Sequence, residues 1–299
     1  MSTLSRLAHQ PGTNKATRIV GALTLVGLGL LLWFGLVVSP NSVQMGDLVR
    51  LIYVHPASAF MCYVGFGVCA LASLAYLWPR TRSPRWDQVA GAAGEVGVVF
   101  CITCIVSGSI WGRSTWGVWW TWDPTLTLTA LLLMSFLGYL ALRRTGGDPA
   151  ARAKRSAVAA VCCFVIVPID DEASTWWAGL HQPETLLRVG KSPLIHGWEL
   201  FTMLFSFVVF ALLFTWIFLH RLAVEQMADR IETEGYVWAI AERRAEGSPT
   251  QPLLRPLAAA VTTGAAALPA DRPVPADELA GVGGRDPGSV ATPEEEAHR

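Results

Sequence analysis

Residues 111–127 read WGRSTWGVWWTWDPTLT and carry five tryptophans: Trp111, Trp116, Trp119, Trp120 and Trp122. Neither a buried core nor a membrane span needs indole at that density. A wall of indoles stacks on an extended planar system while each ring N–H stays free to donate. Arg113 stands among them and can form charge-assisted bonds to a carboxylate or phosphate. His55 and His181 offer imidazoles from two other segments. Such a set would hold a flat aromatic ligand, provided the chain folds all three segments onto one side.

The elements that must place them are membrane helices. The chain is 52% hydrophobic and only 15% charged, where soluble domains run nearer roughly a quarter charged. Apolar runs at 19–38, 57–78, 89–110, 125–142, 156–169 and 196–219 predict six transmembrane helices in an all-α integral membrane protein. Pro56 suits the first turn of the second span, and Asp123-Pro124 reads as an N-cap followed by a first-turn proline. The fifth run is short and needs snorkelling Lys154 and Arg155, local thinning, or a helix continuing past Pro168. Before the first span lies a polar tail, 1–18. After the membrane domain, 19–220, come a charged segment at 221–246 that reads as a surface helix and a tail at 247–299 that reads as disordered.

Basic residues concentrate in the N-terminal tail and the loops at 79–88 and 143–155, so the positive-inside rule puts both termini in the cytoplasm. The segment ending at His55, the tryptophan-rich segment and the one holding His181 then share the outer face. A planar macrocycle bearing carboxylates, with a metal taking one ligand on each side, fits this set, and haem with two axial histidines is such a ligand. Competing readings stand beside it. Interfacial tryptophans anchor helices in lipid, which accounts for Trp33, Trp78, Trp86 and Trp198, and His196 at the start of the sixth span is a rival ligand on geometry alone. Zero net charge gives no sign of nucleic acid, and with no CxxCH string the chain is not itself a c-type cytochrome. The CxxC at Cys101 and Cys104 lies in an apolar run and reads as buried small residues. Glu95 and Glu199 lie within spans, where a carboxylate is costly and is usually paired or functional, with roles left open.

The segment WGRSTWGVWWTWDPTLT resembles the tryptophan-rich WWD signature of haem-handling proteins in cytochrome c biogenesis, and the HQP string at 181–183 supports the likeness. Within that group the chain is similar to the cytochrome c maturation protein C family over about residues 19–220. The resemblance implies haem b held by His55 and His181, on a platform of Trp111, Gly112, Trp116, Gly117, Trp119, Trp120, Trp122 and Asp123 with Arg113 among them. In that family a residue usually separates the first histidine from the proline; here Pro56 follows His55 directly, which keeps His196 as a substitute ligand. It further implies a protein of the bacterial cytoplasmic membrane that delivers haem rather than an enzyme. Its partners would be membrane lipid, a membrane-anchored periplasmic haem chaperone and an ABC-type ATPase complex. Alternatives are a haem lyase acting directly on apocytochrome c, the membrane subunit of a haem exporter, and a b-type electron-transfer subunit, the last needing histidine pairs that the spans lack.

Overall fold

The computed structural model describes residues 15–40, 46–181 and 195–246. The chain divides into two compact units, residues 1–237 and 238–299. In the first, α1 (Lys15–Trp33) is followed by a π turn at Phe34–Val38. A 3-10 turn, Asp47–Tyr53, leads into α2 (His55–Leu77), then α3 (Pro84–Trp116) and α4 (Pro124–Arg143). Then come α5 (Pro149–Phe164), α6 (Ile166–Trp176) and α7 (Gly197–Glu246), of which residues 197–237 belong to this unit. The predicted tail at 247–299 lies outside the described residues.

Three helices open on one pattern. Ser83, Asp123 and Asp148 each accept a bond from a backbone N–H of the first turn, and proline follows at once. That position needs no N–H, so the ring costs nothing there. Among the described residues, five helices are long and apolar enough to cross a membrane: those at 15–38, 47–77, 84–116, 124–143 and 197–231. The predicted fifth span, 156–169, is divided instead between α5 and α6. Pro168 has no N–H for the Phe164 carbonyl and its ring crowds that group, and α5 ends at Phe164. The chain resumes helix through Pro168 as far as Trp176. At the far end, 221–246 continues α7 rather than forming a separate helix; no proline interrupts it.

Helices α2 and α3 pack closely. A Cβ on Gly65 would sit 2.7 Å from the Cα of Gly97, and one on Gly97 would sit 2.7 Å from the Phe66 ring. Phe66 of α2 stacks on Phe136 of α4 with ring centroids 3.6 Å apart. Side chains of α7 complete the core, with Phe210 and Phe214 tilted against Phe100 of α3. The small face of α5, Ala153, Ser156, Ala157 and Ala160, packs on α2 and α4.

Glu95, left without a role by its sequence, is paired. Arg221 of α7 grips it through both Nε and Nη2 and also holds Glu225 at 2.6 Å. Arg143 closes the chain of charges, bidentate on Asp87 at 2.6 and 3.2 Å. These residues occupy the start of α3, the end of α4 and the later part of α7. Charge pairing therefore clamps the end of the bundle away from the tryptophan-rich segment. Glu199 sits in the first turn of α7.

Candidate functional site

Alternating helix direction brings the start of α2, the end of α3, the start of α4 and the end of α6 to one end of the bundle. They surround a cavity of 610 Å³, within the range of pockets that enclose small ligands. His55, His181, Trp111, Trp116 and Trp120 all line it.

His55 is the first residue of α2, and its position is fixed from below and from the side. Tyr53, buried in the preceding turn, donates to Ser39 Oγ at 2.7 Å, and Ser39 meets Thr202 of α7 at 3.3 Å. The imidazole lies against α3, with Nδ1 3.1 Å from the Cys104 carbonyl oxygen. A carbonyl only accepts, so Nδ1 carries the proton and Nε2 keeps its lone pair. This is the arrangement by which proteins orient a metal-binding histidine. Gly108 makes the approach possible: a Cβ there would come within 2.7 Å of His55 Cε1. Gly108→Ala should therefore weaken ligand binding at least tenfold, since it displaces the imidazole from the Cys104 carbonyl. Alanine favours helix over glycine by about 1 kcal/mol, so thermal stability in detergent should not fall with it. A parallel loss of stability and binding would refute this role for Gly108.

His181 follows α6. Its backbone N–H donates to Asp123 Oδ2 at 3.1 Å, while Asp123 Oδ1 accepts from Leu126 N at 2.9 Å and caps α4. One carboxylate thus joins the start of α4 to the His181 segment. Each histidine also has a tryptophan of α3 at its edge: Trp111 by His55 at 6.0 Å and Trp116 by His181 at 6.4 Å.

The tryptophan-rich segment divides into two parts. Helix α3 runs on as far as Trp116, and Gly117, with φ of 78°, ends it in the left-handed conformation that suits glycine. Arg113 donates to the Gly117 carbonyl and stays exposed beside the turn, and Ser109 Oγ holds the Trp119 carbonyl at 2.8 Å. Beyond the turn Trp120 faces the cavity, whereas Trp119 is 59% exposed and Trp122 75% exposed. His196 is also exposed and lies outside the cavity wall, to which its neighbour Ile195 contributes.

The wall fits a haem-like ligand in three respects. It is mainly apolar, no lysine or arginine lines it among the described residues, and two imidazoles face one space. Trp120 Nε1 is buried with no protein acceptor among the described residues, a donor placed for an oxygen of a bound molecule. Sequence reasoning missed Asp170. One residue past the predicted fifth span, it is 1% exposed inside α6 and lines the cavity, where it accepts from Tyr63 Oη at 3.0 Å. Its burial follows the helical phase of α6, where Val167, Asp170 and Ala173 share one buried face.

The family model for heme exporter protein C matches residues 6–236. The heme exporter protein C of Bradyrhizobium diazoefficiens is 33% identical over 196 residues, covering 65% of this chain and 73% of that protein. That of Haemophilus influenzae is 31% identical over 216 residues, covering 72% and 87%. A putative cytochrome c biosynthesis ccmC-like mitochondrial protein of Marchantia polymorpha is 30% identical over 171 residues, covering 57% and 69%.

Proposed function

The chain belongs to the heme exporter protein C family, and from that premise we propose that it binds haem b on the outer face of the bacterial cytoplasmic membrane and hands it to a membrane-anchored haem chaperone during cytochrome c maturation. The observation that carries this reading is the meeting of His55 and His181 in one tryptophan-lined cavity. Haem supplies the reactive chemistry; the protein supplies ligation, orientation and an apolar wall. His55 Nε2 and His181 hold the iron from two sides. Trp111, Trp116 and Trp120 pack on the macrocycle, and Trp120 Nε1 donates to a propionate oxygen. Asp123 fixes the His181 segment without touching the haem.

The two ligands are held unequally, and this suits handover. His55 is built into a helix start and locked on the Cys104 carbonyl. His181 lies outside the helices, with a backbone bond to Asp123. His181 is the ligand that lets go when the chaperone arrives. The exposed Trp119 and Trp122 form the surface on which the chaperone docks. Helices α5 and α6 together make the remaining crossing, giving six spans with both termini in the cytoplasm. In this reading an ABC-type ATPase complex then releases the loaded chaperone.

Haem-loaded protein mixed with the purified chaperone tests this. Haem should move to the chaperone, and Trp119→Ala/Trp122→Ala should slow transfer at least tenfold while loading stays normal. Haem moving instead to a CxxCH apocytochrome peptide, with no chaperone present, would establish the lyase reading.

A further inference from the structure

Asp170 is a carboxylic acid buried in a mainly apolar cavity wall. Tyr63 Oη donates to its Oδ2 at 3.0 Å, and Thr129 Oγ1 lies 3.1 Å from both carboxyl oxygens. Thr129 Oγ1 also lies 2.9 Å from the Thr125 carbonyl. A hydroxyl has a single proton, so two arrangements fit one set of heavy atoms. When Thr129 donates to Asp170, the carboxylate has two donors and is stabilised as the anion. When Thr129 donates to Thr125, Asp170 keeps its own proton and gives it to Thr129. The site holds either charge state without rearrangement.

Asp170 also has a defined depth. Thr129 lies about 9 Å further along α4 than Asp123, at 1.5 Å per residue, and Asp123 marks the level of the His181 backbone. The carboxyl therefore lies deeper in the bundle than the His181 backbone, on a wall that both histidines also line. Among the described residues, the other titratable groups on this wall are His55, Cys62 and Tyr63 of α2, Cys101 and Cys104 of α3, Asp171 beside it, and His181. Among the described residues, no lysine or arginine lines the cavity to neutralise it.

We propose that Asp170 makes this cavity select ferric over ferrous haem, an inference that rests on the haem-binding function above. Bis-histidine ferric haem carries one positive charge more at its centre than the ferrous form. In a low-dielectric cavity an ionised carboxylate favours the more positive species. Entry of ferric haem drives the Asp170 proton to water and turns Thr129 towards the carboxylate. Ferrous haem leaves Asp170 protonated. Burial and hydrogen bonding around a haem are recognised means of setting its potential.

The experiment is a spectroelectrochemical titration of the haem-loaded full chain in detergent, comparing wild type, Asp170→Asn and Tyr63→Phe. Asparagine keeps the shape and can still donate to Thr129 and accept from Tyr63. Its midpoint should rise by about 59 mV, a tenfold change in the ratio of ferric to ferrous affinity for one electron. It should also lose most of the wild-type fall in midpoint with rising pH. Tyr63→Phe removes one donor to the carboxylate and should raise the midpoint by a smaller amount. A bis-histidine spectrum with unchanged potential in Asp170→Asn overturns the proposal. Failure of wild type to bind haem overturns the underlying function instead. If Asp170→Asn does not fold, Tyr63→Phe decides alone, and an unchanged midpoint there overturns the inference.

Discussion

His181→Gly should leave haem bound but five-coordinate and high-spin, whereas His55→Gly should lose most of the haem during purification. Wild type should show the low-spin spectrum of two axial histidines. Even partners one shell out from a metal cost 10–100-fold when removed, so loss of a ligand should cost at least that. The asymmetry follows from how each imidazole is held. His55 is positioned by the Cys104 carbonyl, by the Gly108 gap and by a helix start tied through Tyr53 to Ser39. With its Nε2 pre-aimed, the first bond to iron would form without ordering the chain. His181 lies outside the helices, with its backbone N–H on Asp123, and its bond would close second. Added imidazole should restore the low-spin spectrum of His181→Gly, because the cavity then has room for the free base opposite His55. Unchanged spectra in both variants would refute the assignment. A spectral change in His196→Ala would move the second ligand to that residue, against its exposed position outside the cavity wall.

Much of this arrangement can be read from residue types and spacing, and the parts that cannot share one physical cause. Asp123-Pro124 announces the start of α4 because an N-cap acceptor and a first-turn proline act within a few residues. Asp148-Pro149 carries the same signal for α5, although it falls in a basic loop where hydropathy alone does not look for a helix. The convergence of His55 and His181 is legible because it depends on the parity of crossings, and charge asymmetry between loops sets that parity. Three-dimensional phase is not legible. Trp116 and Trp120 face the cavity while Trp119 and Trp122 do not, since the left-handed turn at Gly117 redirects the chain between them. Glu95 finds Arg221 across 126 positions of sequence, a partnership that no local pattern encodes. Asp170 lies on the buried face of α6 with Val167 and Ala173, one residue beyond the apolar run of 156–169, so the apolar count does not reach it.

Asp123→Asn should separate two jobs that one carboxylate performs. Oδ1 accepts from Leu126 N at 2.9 Å, and Oδ2 accepts from His181 N at 3.1 Å. Asparagine keeps one acceptor and turns the other into a donor. Its Oδ1 can still cap α4, and asparagine caps about as well as aspartate. Its amide then meets the His181 N–H donor to donor, so that bond is lost. Stability should stay near wild type while haem affinity falls 10–100-fold, as for other groups that orient a metal ligand from outside. The high-spin fraction should rise, because the His181 segment no longer starts in register with the iron. Asp123→Ala removes both acceptors and should also lose about 1 kcal/mol of stability through the cap. Thermal unfolding and haem titration on the same preparations distinguish the two effects. If Asp123→Asn binds haem as wild type does, the carboxylate is a helix cap alone and His181 is positioned by something else. If the asparagine variant loses affinity without stability, the last residue of the WWD run acts on the haem through the histidine it holds, although it never touches the ligand.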